Sequence, residues 1–406
     1  MFIPRFAKST FLLCLLGISA HAYTVSGNVY STNGSQSDVQ AAINAAADGD
    51  VIQLPAGSFT WSTGTGAGPA SVTVNTGVKI QGAGASLTTI TNPGTSYWLI
   101  LLNADLTAGA RVTGIGFLGQ NSLDIAASAY VYGTPTALWR VDNCSFYYAG
   151  QGTMMEIWGN VPGVIDHCSF QAGSGAEMIH NVAAGPNSTA GWTDNVYPGS
   201  ANALYIEDCT FSNIDITNPG FLGCSAIQSY YGARTVMRYC QLNYCQIDQH
   251  GNVPPLYGAR WFEFYNNTFY VPPNGNQSDY FQLRSGSGVV FNNHVSGGPN
   301  TGAGAIELYS DETTNPALCG PGGGIFVNGN RSFSPVYIWG NDSSMPVGST
   351  SSNVIQGRDY LVSGTQPTTM IKWHLTTDTA NTTYSYTPYV YPHPLDHGST
   401  SVFGPQ

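Results

Sequence analysis

The chain of 406 residues is poor in charge, with 9% Asp, Glu, Lys and Arg, yet it carries 49 Gly and 24 Tyr. That balance excludes a disordered chain, which would be charge-rich and aromatic-poor, and it is unlike a helical enzyme. A formal net charge of −11 also excludes a nucleic-acid binder that works by counterion release, although a local cluster of Arg and His can still hold an anionic ligand against the global field.

Residues 1–22 combine Arg5 and Lys8, an apolar run from Phe11 to Gly17 and a closing Ala20-His21-Ala22. Basic start, short apolar core and an Ala-x-Ala end read as a secretory signal peptide cut after Ala22. The run is too short to span a bilayer and no later segment is a candidate, so the mature protein is expected to be secreted or periplasmic, without membrane insertion, and monomeric. Cys14 leaves with the leader. The seven remaining cysteines are an odd number, so at least one is a free thiol or bonds another chain. Their spacing fits neither a zinc site nor a redox CxxC pair, and Cys224 with Cys245 is the pair placed to bridge neighbouring coils.

Ser35 or Ser37 can cap a helix that runs to about Ala47, with Val39, Ile43 and Ala46 on its apolar face and Gly49 as its stop. Three irregular segments follow, Val72–Gly84, Tyr97–Leu102 and Arg111–Gly119. A short motif then recurs, an apolar-polar strand end followed by Cys or Asn and a hydroxyl or aromatic residue. It falls at Cys144, Cys168, Cys209, Cys240, Asn267, Asn293 and Asn330. Intervals in the twenties with variable excess are those of a solenoid whose coil is fixed and whose loops at one corner are free in length. The expected fold is all-β, a right-handed parallel β-helix over 23–340. The helix covers its open end, and an irregular tail, 341–406, lies back on its body. Each Cys or Asn then stacks on its counterpart one coil away, as an internal ladder.

A second strand type aligns on the turn that follows it: Glu156-Ile-Trp158, Met178-Ile-His180, Gln228-Ser-Tyr230, Asp248-Gln-His250, Gln282-Leu-Arg284 and Glu307-Leu-Tyr309. Residues two apart share a face. One column therefore holds Trp158, His180, Tyr230, His250, Arg284 and Tyr309, beside a column of carboxylates and amides. Aromatics that stack on sugar rings, cations that pair with uronates and amides that fix hydroxyls make a groove for an extended polysaccharide. Arg260 and Glu263, on the strand after His250, are placed at the same groove edge.

With the coils in place, Val-Gln-Ala-Ala-Ile-Asn…Gly-Asp-Val-Ile-Gln-Leu-Pro-Ala-Gly (39–57) and the whole span from about Gln36 to Pro394 resemble bacterial β-helix proteins of the pectate-lyase-like superfamily. Phe-Gln-Leu-Arg284-Ser-Gly…Val-Val-Phe-Asn-Asn is similar to a strand pair of chondroitinase B and alginate lyases. The resemblance implies an arginine that steadies the uronate, a lysine base and a calcium ion held by acidic residues. Ser285 stands where that pattern has His. No lysine lies between Lys79 and Lys372, which leaves His250 or Arg260 for the base, and Asp248 with Glu263 are the nearest carboxylates for calcium. Three readings follow. The first is an exported lyase acting by β-elimination on a uronate-containing glycan, with His250 as base held by Asp248, Arg284 on the carboxylate and Arg260 or calcium assisting. The second is a glycoside hydrolase using Asp248 with Glu263 or Glu307. The third is a non-catalytic carbohydrate-binding or adhesion solenoid.

Overall fold

The computed structural model describes residues 23–62, 70–94, 98–103, 108–126, 139–159, 161–183, 191, 196, 198–215, 224–251, 258–272, 277, 279–297, 306–310, 323–327, 330–373 and 381–396. The leader, Cys319 and His374 lie outside them. Three long parallel sheets build the body. Sheet A holds thirteen strands, from Thr24–Ser26 to Tyr360–Ser363; sheet B holds nine, from Gly57–Thr60 to His294–Gly297; sheet C holds ten, from Ala70–Val74 to Val347–Ser349. From Val51–Gln53 to Ile306–Leu308 the chain visits A, B and C in turn, so each of these coils adds one strand to each sheet. This is a parallel β-helix, and the segments before Cys144 are regular coils of it. Among the described residues no helix is long and apolar enough to cross a membrane.

The helix spans Gln36–Ala45 and buries Asp38, Val39, Ala42 and Ile43 over the open end of the core. Ser35 is its N-cap residue but makes no side-chain cap bond. Asp38 instead turns back and accepts the Asn33 N–H at 2.8 Å.

The A-to-B corner sets the coil. Eight successive A strands, from Arg111–Thr113 to Val336–Trp339, each end in one residue of left-handed backbone, Gly114, Asn143, His167, Asp208, Tyr239, Asn266, Asn292 or Gly340, with φ between 51° and 68°. Asn, Asp and His tolerate that region better than other side chains, and Gly is free in it. The next residue then faces inward and meets a carbonyl of the preceding coil. The thiols of Cys144, Cys168, Cys209 and Cys240 donate to Val112, Val141, Ile165 and Ile206 at 3.6–3.8 Å. The carboxamides of Asn267, Asn293 and Asn341 donate to Met237, Phe264 and Val290 at 2.9–3.1 Å. Their oxygens also accept the backbone N–H of the ladder residue one coil back, at 3.0–3.1 Å. Thiol and carboxamide serve one acceptor. The last rung is Asn341, not Asn330, because Asn330 opens a strand of a separate antiparallel hairpin, Gly323–Val327 with Asn330–Phe333. All six described cysteines are free and buried; Cys224 and Cys245 lie in register on neighbouring coils without a bond between them.

Inside, Phe117, Phe146, Phe170 and Phe211 stack with ring centroids 4.6–5.0 Å apart, the spacing set by the sheet itself. The coil also runs further than residue 340. Val336–Trp339 and Tyr360–Ser363 extend sheet A, and Val347–Ser349 extends sheet C.

The tail lies across the outer face of sheet A. Arg238, fully buried, donates to Glu207, to the Tyr265 hydroxyl at 2.9 Å and to the carbonyls of Tyr389 and Val390 at 2.6 and 2.7 Å. Arg140 clasps both Asp166 and Asp396. Asp166, His167 and Asp396 bring three ligand atoms within 4.8 Å of one another, but Arg140 already supplies the positive charge there. His393 is 2% exposed; burial, then the charges of Arg238 and Arg140, lowers its pKa to about 3.

Two outcomes are expected. Asn293→Ala strands the Asn267 N–H and the Phe264 carbonyl inside the corner and should lower stability by about 3 kcal/mol in denaturant unfolding, against about 1 kcal/mol for Cys168→Ala; equal losses would show that the ladder bonds carry nothing. A histidine with a depressed pKa stabilises the fold above its unfolded value, and that contribution is lost as pH falls from about 6.5 toward 3. The melting-temperature gap between wild type and His393→Asn should therefore narrow as the medium is acidified through that window.

Candidate functional site

With sheet A covered, the outer face of sheet C presents the groove-like columns. Register in the strands Leu123–Ala126, Thr153–Trp158, Glu177–Val182, Cys224–Tyr230, Cys245–Gln249, Phe281–Leu283 and Ile306–Leu308 aligns Asp124, Glu156, His180, Gln228, Asp248, Gln282 and Glu307 in one column. Trp158, Val182 and Tyr230 head the second column, which His250, Arg284 and Tyr309 continue just past their strand ends. His180 is thus one column away from its expected place. The strand Glu177–Val182 runs two residues beyond His180, so alignment on the end of the motif slipped there. Ile157, Leu283 and Leu308 point inward as expected. Between them, Asn181, Ser229 and Gln249 also face the core. Asn181 and Ser229 both bond the Thr235 hydroxyl, at 3.0 and 2.9 Å.

The centre of the face is a connected cluster. Arg284 donates two hydrogen bonds to Asp248 through one guanidinium edge, Nε to Oδ1 at 3.1 Å and Nη2 to Oδ2. Asp248 is 1% exposed, so the pair is a desolvated, fork-shaped one whose geometry is fixed. The Tyr309 ring lies 5.7 Å from the guanidinium carbon. His250 stacks on Tyr230 with centroids 4.2 Å apart, and His180 meets the same ring edge-on at 4.7 Å. Tyr230 donates its hydroxyl proton to Gln228 Oε1. His180 Nδ1 lies 3.3 Å from Glu156 Oε1.

His250 has a defined protonation state. Its Nδ1 contacts the Gly251 carbonyl, which can only accept, so Nδ1 carries the proton and Nε2 the lone pair. Burial first, then the positive charge of Arg284, lowers its pKa to about 4. The turn behind it closes tightly. A Cβ at Gly258 would stand 2.2 Å from the Ser285 hydroxyl and 2.5 Å from the His250 carbonyl. Ser285, at the position where the resemblance expects His, is fully buried and donates to the Ala259 carbonyl at 2.6 Å.

Two expected residues lie elsewhere. Glu263 is on sheet A beneath the tail, where Gly199 N–H, Trp261 Nε1–H and the Tyr386 hydroxyl donate to it at 2.7–3.1 Å; β-strand alternation on a different sheet points it away from the groove. Arg260 is 2% exposed and donates to Ser287 Oγ at 3.2 Å, packed in the C-to-A corner behind the face. The carboxylates offered for calcium, Asp248 and Glu263, therefore do not converge, and the hydrolase pairs do not form either. Glu307 is two coils from Asp248 and accepts from Thr350 at 2.7 Å. One residue went unnoticed in the sequence: Asp124, at the acidic end of the first column.

No family model matches the chain, and no curated protein matches it. Solved structures with a similar course include an alginate lyase from Paenibacillus sp. str. FPU-7, at 13% identity over 83% of this chain and 94% of that one, with a TM-score of 0.38. A variant of the PL6 family alginate lyase AlyGC aligns at 10% identity over 89% of this chain and 57% of its own, with a TM-score of 0.44. The catalytic domain of a GH87 α-1,3-glucanase aligns at 12% identity over 90% and 70%, with a TM-score of 0.33. The fold assignment rests on the strand register.

Removing one member of a buried ion pair costs about 3–5 kcal/mol because the other is left desolvated. Arg284→Ala should lose that much in wild type and about 1 kcal/mol in an Asp248→Asn background, measured as a double-mutant cycle of denaturant stability; additive losses would show that the two side chains act independently.

Proposed function

We propose that the protein is an exported polysaccharide-degrading enzyme that holds an extended glycan along the outer face of sheet C and cuts it by β-elimination next to a uronate. The observation that carries this reading is the neutral, oriented His250 beside the Arg284–Asp248 fork on the outer face of sheet C. The segment 384–396 bonds the body on sheet A, while Val347–Ser349 and Thr350 meet sheet C only at its far end, beside Glu307, which favours an open column over one capped by the tail.

Each residue has a stated task. Trp158, His180, Tyr230 and Tyr309 line the path of the chain as stacking and edge contacts. Arg284 takes the uronate carboxylate, which sharpens the acidity of the carbon beside it and stabilises the enolate that forms. Asp248 fixes the guanidinium plane. His250 Nε2 takes the C5 proton, the C4–O4 bond breaks to give the unsaturated uronate, and the leaving O4 takes up a proton from solvent water. Arg284 itself depresses the basicity of His250 in the free protein. A uronate carboxylate against Arg284 offsets that charge and raises His250 toward the working pH, so the base strengthens when the correct substrate is bound. No step is routed through a metal or through Arg260.

Unsaturated uronates absorb near ~235 nm, from the conjugation that elimination creates. Pectate, alginate and chondroitin incubated with the mature protein should give rising absorbance with at least one polymer. His250→Ala should reduce that rate by about 10²–10⁴-fold, the range of a lost general base. The rate of the free enzyme should fall as pH drops through about 4, where His250 takes a proton. Unchanged absorbance in His250→Ala would remove the base from this assignment.

A further inference from the structure

Four coils from Asp248, about 19 Å at ~4.8 Å per strand, the same column ends in a carboxyl that nothing in the elimination scheme uses. Asp124 is 7% exposed, and its Oδ1 is shut off from solvent with no hydrogen-bond partner. Leu101 flanks it on one coil and Glu156 on the other, both in register. A purely structural buried carboxyl would be bonded. Glu156 differs from it in every respect that matters. Its side chain is about a quarter exposed and lies 3.3 Å from His180 Nδ1, which orients it. Trp158, two residues on in the same strand and on the same face, is 37% exposed. Two carboxyls in unlike surroundings beside an open indole are the parts of a glycoside-cleaving site.

We propose that Asp124 and Glu156 form a second catalytic site on this face, a retaining glycoside hydrolase pair acting on a glycan ring stacked on Trp158, independent of the elimination chemistry above. Side chains in register on adjacent strands start from backbones ~4.8 Å apart, and the short separation of about 5–5.5 Å between carboxyls is that of retaining enzymes. In the first step Glu156 bonds to the anomeric carbon, the glycosidic C–O bond breaks and the Asp124 proton passes to the leaving oxygen. In the second a water oxygen bonds to the same carbon, its proton returns to Asp124 and the Glu156 ester is released. One water is consumed and one new reducing end appears. Burial, then the charge of Glu156, raises the Asp124 pKa to about 7, which keeps the acid loaded below that pH.

The test separates the two chemistries. The full mature chain carrying His250→Ala, so that elimination is suppressed, is incubated in ¹⁸O-water with alginate, pectate, chondroitin and neutral α- and β-glucans, and products are reduced at once. Hydrolysis places one ¹⁸O at the new end; elimination places none. Label should appear, fall by at least about 100-fold in Asp124→Asn and in Glu156→Gln, and decline as pH rises through about 7; a parallel unreduced reaction followed by NMR should show retained anomeric configuration. Asp124→Asn should melt at or above the parent temperature, since it removes a buried partnerless carboxyl, so its loss of activity is not a loss of fold. Products without label, absence of any cleavage, inverted configuration, or label that survives both substitutions would each overturn the assignment.

Discussion

The structure depends on one corner. From Cys144 to Asn341, a single residue at the end of each sheet A strand takes left-handed backbone and the next one donates inward to a carbonyl of the preceding coil. That contact holds successive coils in register, and every other column follows from it. The phenylalanine stack, the ion ladder of sheet A and the polar columns of sheet C exist because side chains at equal positions recur at the spacing of strands. A slip of one residue would turn each of those columns to the opposite side of its sheet.

Register makes three faces and the chain uses them differently. Sheet A carries buried charge, and the tail neutralises it with Asp396 and with backbone carbonyls donated to by Arg140 and Arg238. Sheet B presents mostly hydroxyls and amides, with Tyr147 and Tyr270 exposed among them and a His294–Asp342 pair at its end. Sheet C lines up Asp124, Glu156, His180, Asp248 and Glu307 in one outward column. Desolvation acts there in opposite directions, holding His250 neutral and Asp124 protonated. A face that combines a base of lowered pKa, a fixed cation and an acid of raised pKa is costly to maintain in a chain with so little charge, and the proposed chemistry on a bound glycan is what would give that cost a purpose.

Much of this was legible in the sequence because a solenoid writes its geometry as recurrence. The Cys and Asn positions announced the ladder, and Trp158, Tyr230, His250, Arg284 and Tyr309 fell in one column. The failures are equally physical. His180 was misplaced since its strand outruns the motif used to align it. Asn330 was taken for the last rung because an inserted hairpin imitates the motif, whereas Asn341 makes the bonds. Glu263 and Arg260 are near His250 in sequence, but they lie on another sheet and in its corner. Asp124 stayed hidden because its coil has Ile115, not Cys or Asn, after the left-handed Gly114. Without the ladder residue nothing in the sequence aligned its sheet C strand.

The most direct test of the central claim, that sheet C is the glycan-bearing face, is hydroxyl-radical footprinting of the mature protein with and without uronate oligosaccharides. Trp158, Tyr230 and Tyr309 should be protected while Tyr147 and Tyr270 on sheet B react as before. Protection of Tyr147 and Tyr270 instead, or none at Trp158 and Tyr230 under saturating oligosaccharide, would contradict the account.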